Sequence, residues 1–199
     1  MTRRENSTSR GLLQGARDDD TQAWERVMDL YAPLVAHWCR KSGFFPPDGD
    51  DISQDVFAAV AKGLKTYRGE AKFRTWLRTI TINKIRDFAR SSRLRPSAVG
   101  GSTMAEYLEQ VALPTNEAEL EQEEHDILLG QVLKAQRENV SPTTWQAFWR
   151  TTIDSAPTSI VAEELGISEG AVRQAKYRLL QRIKQELTDL ELQAGGDSK

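Results

Sequence analysis

The sequence predicts an all-α protein: two small helical domains joined by a flexible linker, the second containing a helix-turn-helix. Three observations predict it. Apolar residues recur at threes and fours, the period of amphipathic helices, through both halves of the chain. Between those halves, residues 96–122 shift to Pro, Gly, Ser, Thr and Glu, with a Gly100-Gly101 pair and a break at Pro114-Thr115-Asn116. Finally, residues 158–177 space apolar, small and glycine residues as a tight helical hairpin requires. The resulting domains are 12–95 and 123–190, with the linker over 96–122 and disordered tails at 1–11 and 191–199.

The 199 residues, 39% apolar and 28% charged, are ordinary for a soluble globular protein and argue against a fibre. No apolar run approaches the roughly 20 residues a membrane helix needs, and no apolar segment follows the polar N-terminus, so a cytoplasmic protein without membrane insertion is expected. Cys39 is the sole cysteine, and His37 and His125 are the sole histidines. An internal disulfide is therefore excluded, and no metal or cofactor is expected. Cys39 follows Trp38 on an apolar stripe and reads as a packed thiol.

The elements follow in order. Leu12, Leu13 and Ala16 form a short apolar face. Asp18, Asp19 and Asp20 then offer an N-cap for a helix carrying Trp24, Val27, Met28, Tyr31, Leu34, Val35 and Trp38, with a kink or restart expected at Pro33. Gly43 and the run Pro46-Pro47-Asp48-Gly49 end it in a turn. Asp50 or Asp51 is the expected cap of the next helix, whose stripe is Ile52, Val56, Phe57, Val60 and Leu64.

Residues 67–95 hold the most unusual composition in the chain. Between 62 and 95 there are eleven basic and two acidic residues, a local charge of +9 in a chain of net charge −2. Set on a helical period, 73–90 places Phe73, Trp76, Leu77, Ile80 and Phe88 on one face, and Thr79, Asn83, Arg86 and Arg90 on another. The first face is expected to pack and the second to remain available. Ser91-Ser92 and Pro96 close the segment.

Local helix is expected within the linker at 104–111. Eight acids and no Lys or Arg lie between 106 and 126, read either as a solvated helix start or as an autoinhibitory segment for a basic surface. The 27 linker residues would extend at most about 90 Å at ~3.3 Å each, enough for the two domains of one monomer to reach two well-separated elements. Beyond them, Ile127, Leu128, Val132 and Leu133 begin a periodic region. It resumes after Ser141 as N-cap with Pro142 at the first helical position, then again at Pro157.

In the second motif, Ala162 permits close helix approach, Gly166 suits the positive φ of the turn, and Leu165, Ile167 and Val172 fill the wedge. A helix capped by Ser168 then packs through Val172, Ala175, Leu179 and Ile183. Its other side offers Arg173, Gln174, Tyr177, Arg178 and Gln181. Arg suits guanine edges and Gln suits adenine edges, while lysines neutralise phosphate. With a sequence pI near 5.8, positive charge is local, and affinity for bare DNA should be modest.

Over residues 12–190, three stretches in this order resemble the sigma-70 family of bacterial transcription initiation factors, in its compact extracytoplasmic-function form: DDISQDVFAAVAKGL, TYRGEAKFRTWLRTITINKIRDFARSSR and SIVAEELGISEGAVRQAKYRLLQRIK. The resemblance implies a region 2-like domain over 12–95, a region 4-like domain over 123–190, and no enzymatic activity. It implies core RNA polymerase and promoter DNA as partners, leaves room for an anti-sigma factor, and fits a chain that is monomeric when free. Asp51, Gln54, Asp55 and Phe57 would fall on the polymerase-binding helix. The loop 67–72, with Tyr67, Arg68 and Lys72, would surround a flipped base of the −10 element, and Arg74, Thr79, Asn83, Arg86 and Arg90 would follow on the next helix. Ser168, Arg173, Gln174, Tyr177, Arg178 and Gln181 would meet the −35 element.

This chain departs from the family pattern at Ile160-Val161-Ala162, where Glu-Ile-Ala is frequent, and at Ala175, where a larger apolar residue is common. Base specificity is therefore not transferred. The alternative is a one-component repressor or activator that uses the helix-turn-helix alone on duplex DNA. It leaves the basic stretch at 62–95 unexplained.

Overall fold

The computed structural model describes residues 9–93 and 117–191, with eight α-helices among them. Outside the described residues lie most of both expected tails, linker residues 96–116 with their helix at 104–111, and Arg95. The described residues divide into two compact units: one comprises those up to Leu128 together with Leu190 and Glu191, and the other comprises Leu129–Asp189.

In the first unit α1 (Ser9–Arg17) packs on α2 (Thr21–Lys41) and α3 (Asp48–Leu64), and α4 (Phe73–Arg93) packs on both α2 and α3. Helix α1 begins inside the expected tail, three residues before Leu12. Asp20 caps α2 as its position predicts, its carboxylate accepting from the amides of Gln22 and Ala23. No break occurs at Pro33: α2 is continuous through it. The proline costs one bond at the Asp29 carbonyl, on an exposed turn, while the buried face of Val27, Leu30, Tyr31, Leu34, Val35 and Trp38 holds the helix together.

Helix α3 starts at Asp48 rather than at the expected caps Asp50 or Asp51. Pro47 precedes it with no side-chain cap, so Asp48, Asp50 and Asp51 all lie in the first turn, where carboxylates complement the helix dipole. Gly49 is buried there, because a Cβ would come within 2.9 Å of the Phe44 carbonyl oxygen.

The packed stripe of α4 differs from the expected one. Phe73, Leu77, Thr81, Ile85 and Ala89 are buried, whereas Trp76, Ile80 and Phe88 are half-buried at its margins. The stripe advances strictly by four residues. Thr81 belongs to it because its hydroxyl donates to the Leu77 carbonyl at 2.9 Å, satisfying a polar atom that would otherwise be costly to bury. Cys39 is buried, and loss of solvation pushes its thiol pKa up, which leaves it unreactive.

Helix α5 (Glu117–Glu138) begins within the segment expected to be linker, so the expected boundary at 122 falls inside a helix. Leu120 and Leu128 on its first half are buried. In the second unit, the rest of α5 is accompanied by α6 (Pro142–Thr152), α7 (Thr158–Leu165) and α8 (Glu169–Glu191). Ser141 caps α6 through the Thr144 amide, with Pro142 at the start. Ala147, Val161, Ala162 and Val172 form a small core, against which Leu165, Ile167 and Ala175 pack. A buried amide-carboxylate pair, Gln136 Nε2 to Glu186 Oε2 at 2.9 Å, links α5 to α8 within this unit.

The observed α4 stripe is testable. Ile85→Ala should destabilise the protein by about 2–5 kcal/mol as a core truncation, and Ile80→Ala, half-buried, by about 1 kcal/mol. Urea unfolding followed by circular dichroism measures both.

Candidate nucleic-acid interface

The first candidate surface is built from residue 63 onward. Helix α3 ends at Leu64, and the Thr66 and Tyr67 amides donate to the Gly63 and Leu64 carbonyls, turning the chain out of the helix. The Tyr67 hydroxyl donates to the Ala71 carbonyl at 2.5 Å and so closes the loop on itself. Its ring lies against Trp76 at 4.8 Å and Phe73 at 5.9 Å, and Phe73 in turn meets Tyr31 edge-on at 4.9 Å. Trp76 needs Gly63 beneath it, since a Cβ there would stand 3.0 Å from its ring. Gly69 takes φ 72, which allows the loop to reverse. Arg68 and Lys72 are exposed on this loop, and Tyr67 is half-buried.

Along α4, Thr79, Asn83, Arg86 and Arg90 are all exposed and share one side of the helix. They differ in availability. The Thr79 hydroxyl donates to the Thr75 carbonyl at 3.0 Å, and Arg90 pairs with Asp87. Arg74 lies apart from this row: its side chain is 18% exposed and its Nε stands 3.2 Å from Glu124 Oε2 on α5.

Glu124 is a functional neighbour that sequence reasoning missed. It is 2% exposed, accepts from Trp38 Nε1 at 2.9 Å and faces Arg74, so one buried carboxylate ties α5 to both α2 and α4. Beside it Glu123 accepts from Lys41 at 2.8 Å. His37 Nε2 is 3.2 Å from Glu123 Oε2, although the two are not aligned as a hydrogen bond. The acidic run at 106–126 announced none of these partners, because they lie more than 40 residues away in sequence.

The α3 surface carries Asp51, Gln54 and Asp55 exposed, with Asp51 and Asp55 one turn apart. Phe57 is placed differently. It is buried and meets Trp24 edge-on at 6.4 Å, so it supports the helix from beneath.

The second candidate surface is the α7–α8 hairpin. Gly166 takes φ 64 and ψ 33, the left-handed conformation expected of it, and the Ile167 amide donates to the Ala162 carbonyl at 3.0 Å. Ser168 accepts from the Ala171 amide at 3.2 Å, which makes it a cap. Val172, Leu179 and Ile183 are buried, and Gln174, Tyr177, Arg178 and Gln181 are exposed together, Tyr177 at 65%. Arg173 is exposed but paired with Glu169 at 2.9 Å, and Lys176 turns back to donate to the Thr151 carbonyl at 2.9 Å. The pairing with Glu169 was not foreseen, although i, i+4 spacing is a local signal for it; the Lys176 contact has no such signal.

A family model described as sigma-70 region 2 matches residues 27–95, which runs from within α2 through the end of α4. The sigma factor NccH of Alcaligenes xylosoxydans xylosoxydans is 30% identical over 113 residues, covering 56% of this chain and 61% of its own. CnrH of Cupriavidus metallidurans is 28% identical over 95 residues, covering 48% and 50%. The chain thus spans about half to three-fifths of these two relatives. An extracytoplasmic-function sigma-E factor of Haemophilus influenzae aligns over 94% of this chain and 98% of its own length at 21% identity. Residues 27–95 thus match sigma-70 region 2, and the relatives to which the chain is similar are sigma factors, several of them of the extracytoplasmic-function type. No helix among the described residues is long and apolar enough to cross a membrane.

Two outcomes test the acidic contact on α2 and α4. Glu124→Ala strands the Arg74 charge and should cost about 3 kcal/mol, while Glu124→Gln, which keeps an acceptor for Trp38, should cost less; urea unfolding of both variants checks this. Burial chiefly holds the His37 imidazole pKa below its ordinary 6.5; Glu123 and Glu124 oppose that shift, whereas Lys41 and Arg40 reinforce it. The folded chain therefore binds this proton less readily than the unfolded one. Its contribution is complete above pH 6.5 and is lost as pH falls below that value. His37→Gln should flatten the decline in melting temperature from about pH 6.5 to 5.

Proposed function

We propose that this protein binds core RNA polymerase, directs it to promoters and assists strand opening. The observation that carries the reading is the exposed row of Thr79, Asn83, Arg86 and Arg90 following a closed, basic loop, within the segment that matches sigma-70 region 2. In this reading the domain at 12–95 is the region 2-like unit. Asp51, Gln54 and Asp55 meet the polymerase, and Phe57 acts by holding α3 in place. Tyr67, Arg68 and Lys72 surround an unstacked base of the −10 element, since melted strands need stacking surfaces and cationic grooves. Asn83 and Arg86, which have no protein partner among the described residues, contact the same strand. Arg90 neutralises phosphate once Asp87 is displaced, Thr79 contributes contact surface, and Arg74 acts through its pairing with Glu124.

The region 4-like domain at 123–190 reads the −35 element. Gln174, Tyr177, Arg178 and Gln181 face the major groove, Arg173 joins them if it leaves Glu169, and Ser168 sets the helix start. The protein works in the cytoplasm as a monomer when free, and an anti-sigma factor is a fitting regulator for this branch. A one-component repressor or activator is not favoured, because it gives the basic loop and α4 row no role.

The test separates two activities. Gln174→Ala with Arg178→Ala should abolish promoter selection by reconstituted polymerase while leaving core binding intact. Gln54→Ala with Asp55→Ala should weaken core binding tenfold or more. Pull-down and footprinting read the two effects, and transcription that is promoter-specific without this protein would sink the assignment.

A further inference from the structure

The loop at 65–72 is held from outside by a residue with no place in either candidate surface. Arg17, the last residue of α1, is half-buried. Its Nε donates to the Leu64 carbonyl at 3.2 Å and its Nη2 to the Tyr67 carbonyl at 2.8 Å, so a single guanidinium spans the first residues of the loop. Its Nη1 donates to Gln14 Oε1 at 3.3 Å, which fixes the fork on α1. The Leu64 carbonyl, at the end of α3, accepts only a long bond of 3.3 Å from the Tyr67 amide, and Arg17 adds a charged donor to it. Nearby, Lys65 pairs with Asp19 at 2.9 Å, a second tie between the loop and the α1–α2 turn.

The far side of the loop is closed by its own residues, through the Tyr67 hydroxyl on Ala71 and the Tyr67 ring on Trp76. Tyr67 is therefore gripped at both ends: its carbonyl by Arg17, its hydroxyl by Ala71. Held so, it leaves Arg68, Glu70 and Lys72 exposed. These contacts commit the Arg17 guanidinium to Leu64, Tyr67 and Gln14, so its charge supports the shape of the loop.

We propose that Arg17 is a positioning residue for strand opening, holding the loop in the form that receives an unstacked base without touching DNA itself. This rests on the role proposed above for the loop. A loop ordered in advance loses less freedom when it captures its ligand. The planar fork is the feature required: a lysine ammonium is a point donor and does not reach Leu64, Tyr67 and Gln14 together.

The test uses the full chain bound to core polymerase. A probe strand is first selected from a random-sequence single-stranded DNA pool by the unaltered complex; if no strand is enriched, the function reading fails before Arg17 is tested. Arg17→Lys and Arg17→Ala should then each weaken binding of that strand roughly tenfold, the scale of a lost charged hydrogen bond. Hydrogen exchange should rise at the amides of residues 65–72, while core binding stays within twofold. Arg17→Lys keeps the charge and α1, so it carries the test if Arg17→Ala does not fold. Wild-type strand affinity in Arg17→Lys overturns the proposal, and so does an equal loss of core binding and strand binding.

Discussion

Phe73 is fully buried at the point where the loop enters α4, with Tyr31 of α2 edge-on to it, Tyr67 of the loop 5.9 Å away and Trp76 of its own helix at 5.6 Å. Four rings from three segments meet at one place. Aromatic groups bury large areas with few rotatable bonds, so such a cluster fixes the direction in which α4 leaves the loop. Every exposed residue along α4 inherits its position from that direction. The same cluster holds Tyr67, and through it the loop that carries Arg68 and Lys72. Core and candidate interface are thus one construction.

Charge in this chain is organised by burial more than by count. The basic stretch at 62–95 looks uniform in sequence, yet its members have separate fates. Arg74 is turned toward a buried carboxylate, Arg90 rests on Asp87, and Asn83 and Arg86 have no such partner among the described residues. Lys176 and Arg173 in the second unit diverge in the same way. Glu124 shows the reverse case: an acid in a run that reads as solvated turns out to be almost completely enclosed and to bind both an indole and a guanidinium. A charge committed to a neighbour within the fold is less available to a ligand, because the desolvation and pairing it has already undergone must be reversed.

Much of the fold was legible. Local rules placed the Asp20 and Ser141 caps, the Gly166 turn, the apolar stripe of α3 and most of that of α2, where Met28 is exposed and Leu30 is buried in its stead, because capping and periodicity act over a few residues. The α4 stripe was read less well. Periodicity favoured Ile80 and Phe88 as large apolar residues, whereas the packing selected Thr81 and Ala89, where small volume and a satisfied hydroxyl suit the close contact with α2 and α3. The start of α3 was misplaced because three aspartates in one turn are equally good candidates for a cap by local rules.

The sequence by itself determined the helical class, the helix-turn-helix with its cap and its exposed row, and the concentration of positive charge ahead of a composition break. Each depends on neighbours within one or two helical turns. Only the tertiary structure decided which charges remain available, that Phe57 supports α3 from below, that Glu117–Leu128 belongs to the first unit, and that Arg17 holds a loop some 50 residues further along the chain. Contacts of that kind depend on which surfaces meet after the helices pack, and no local pattern encodes a partner that far away.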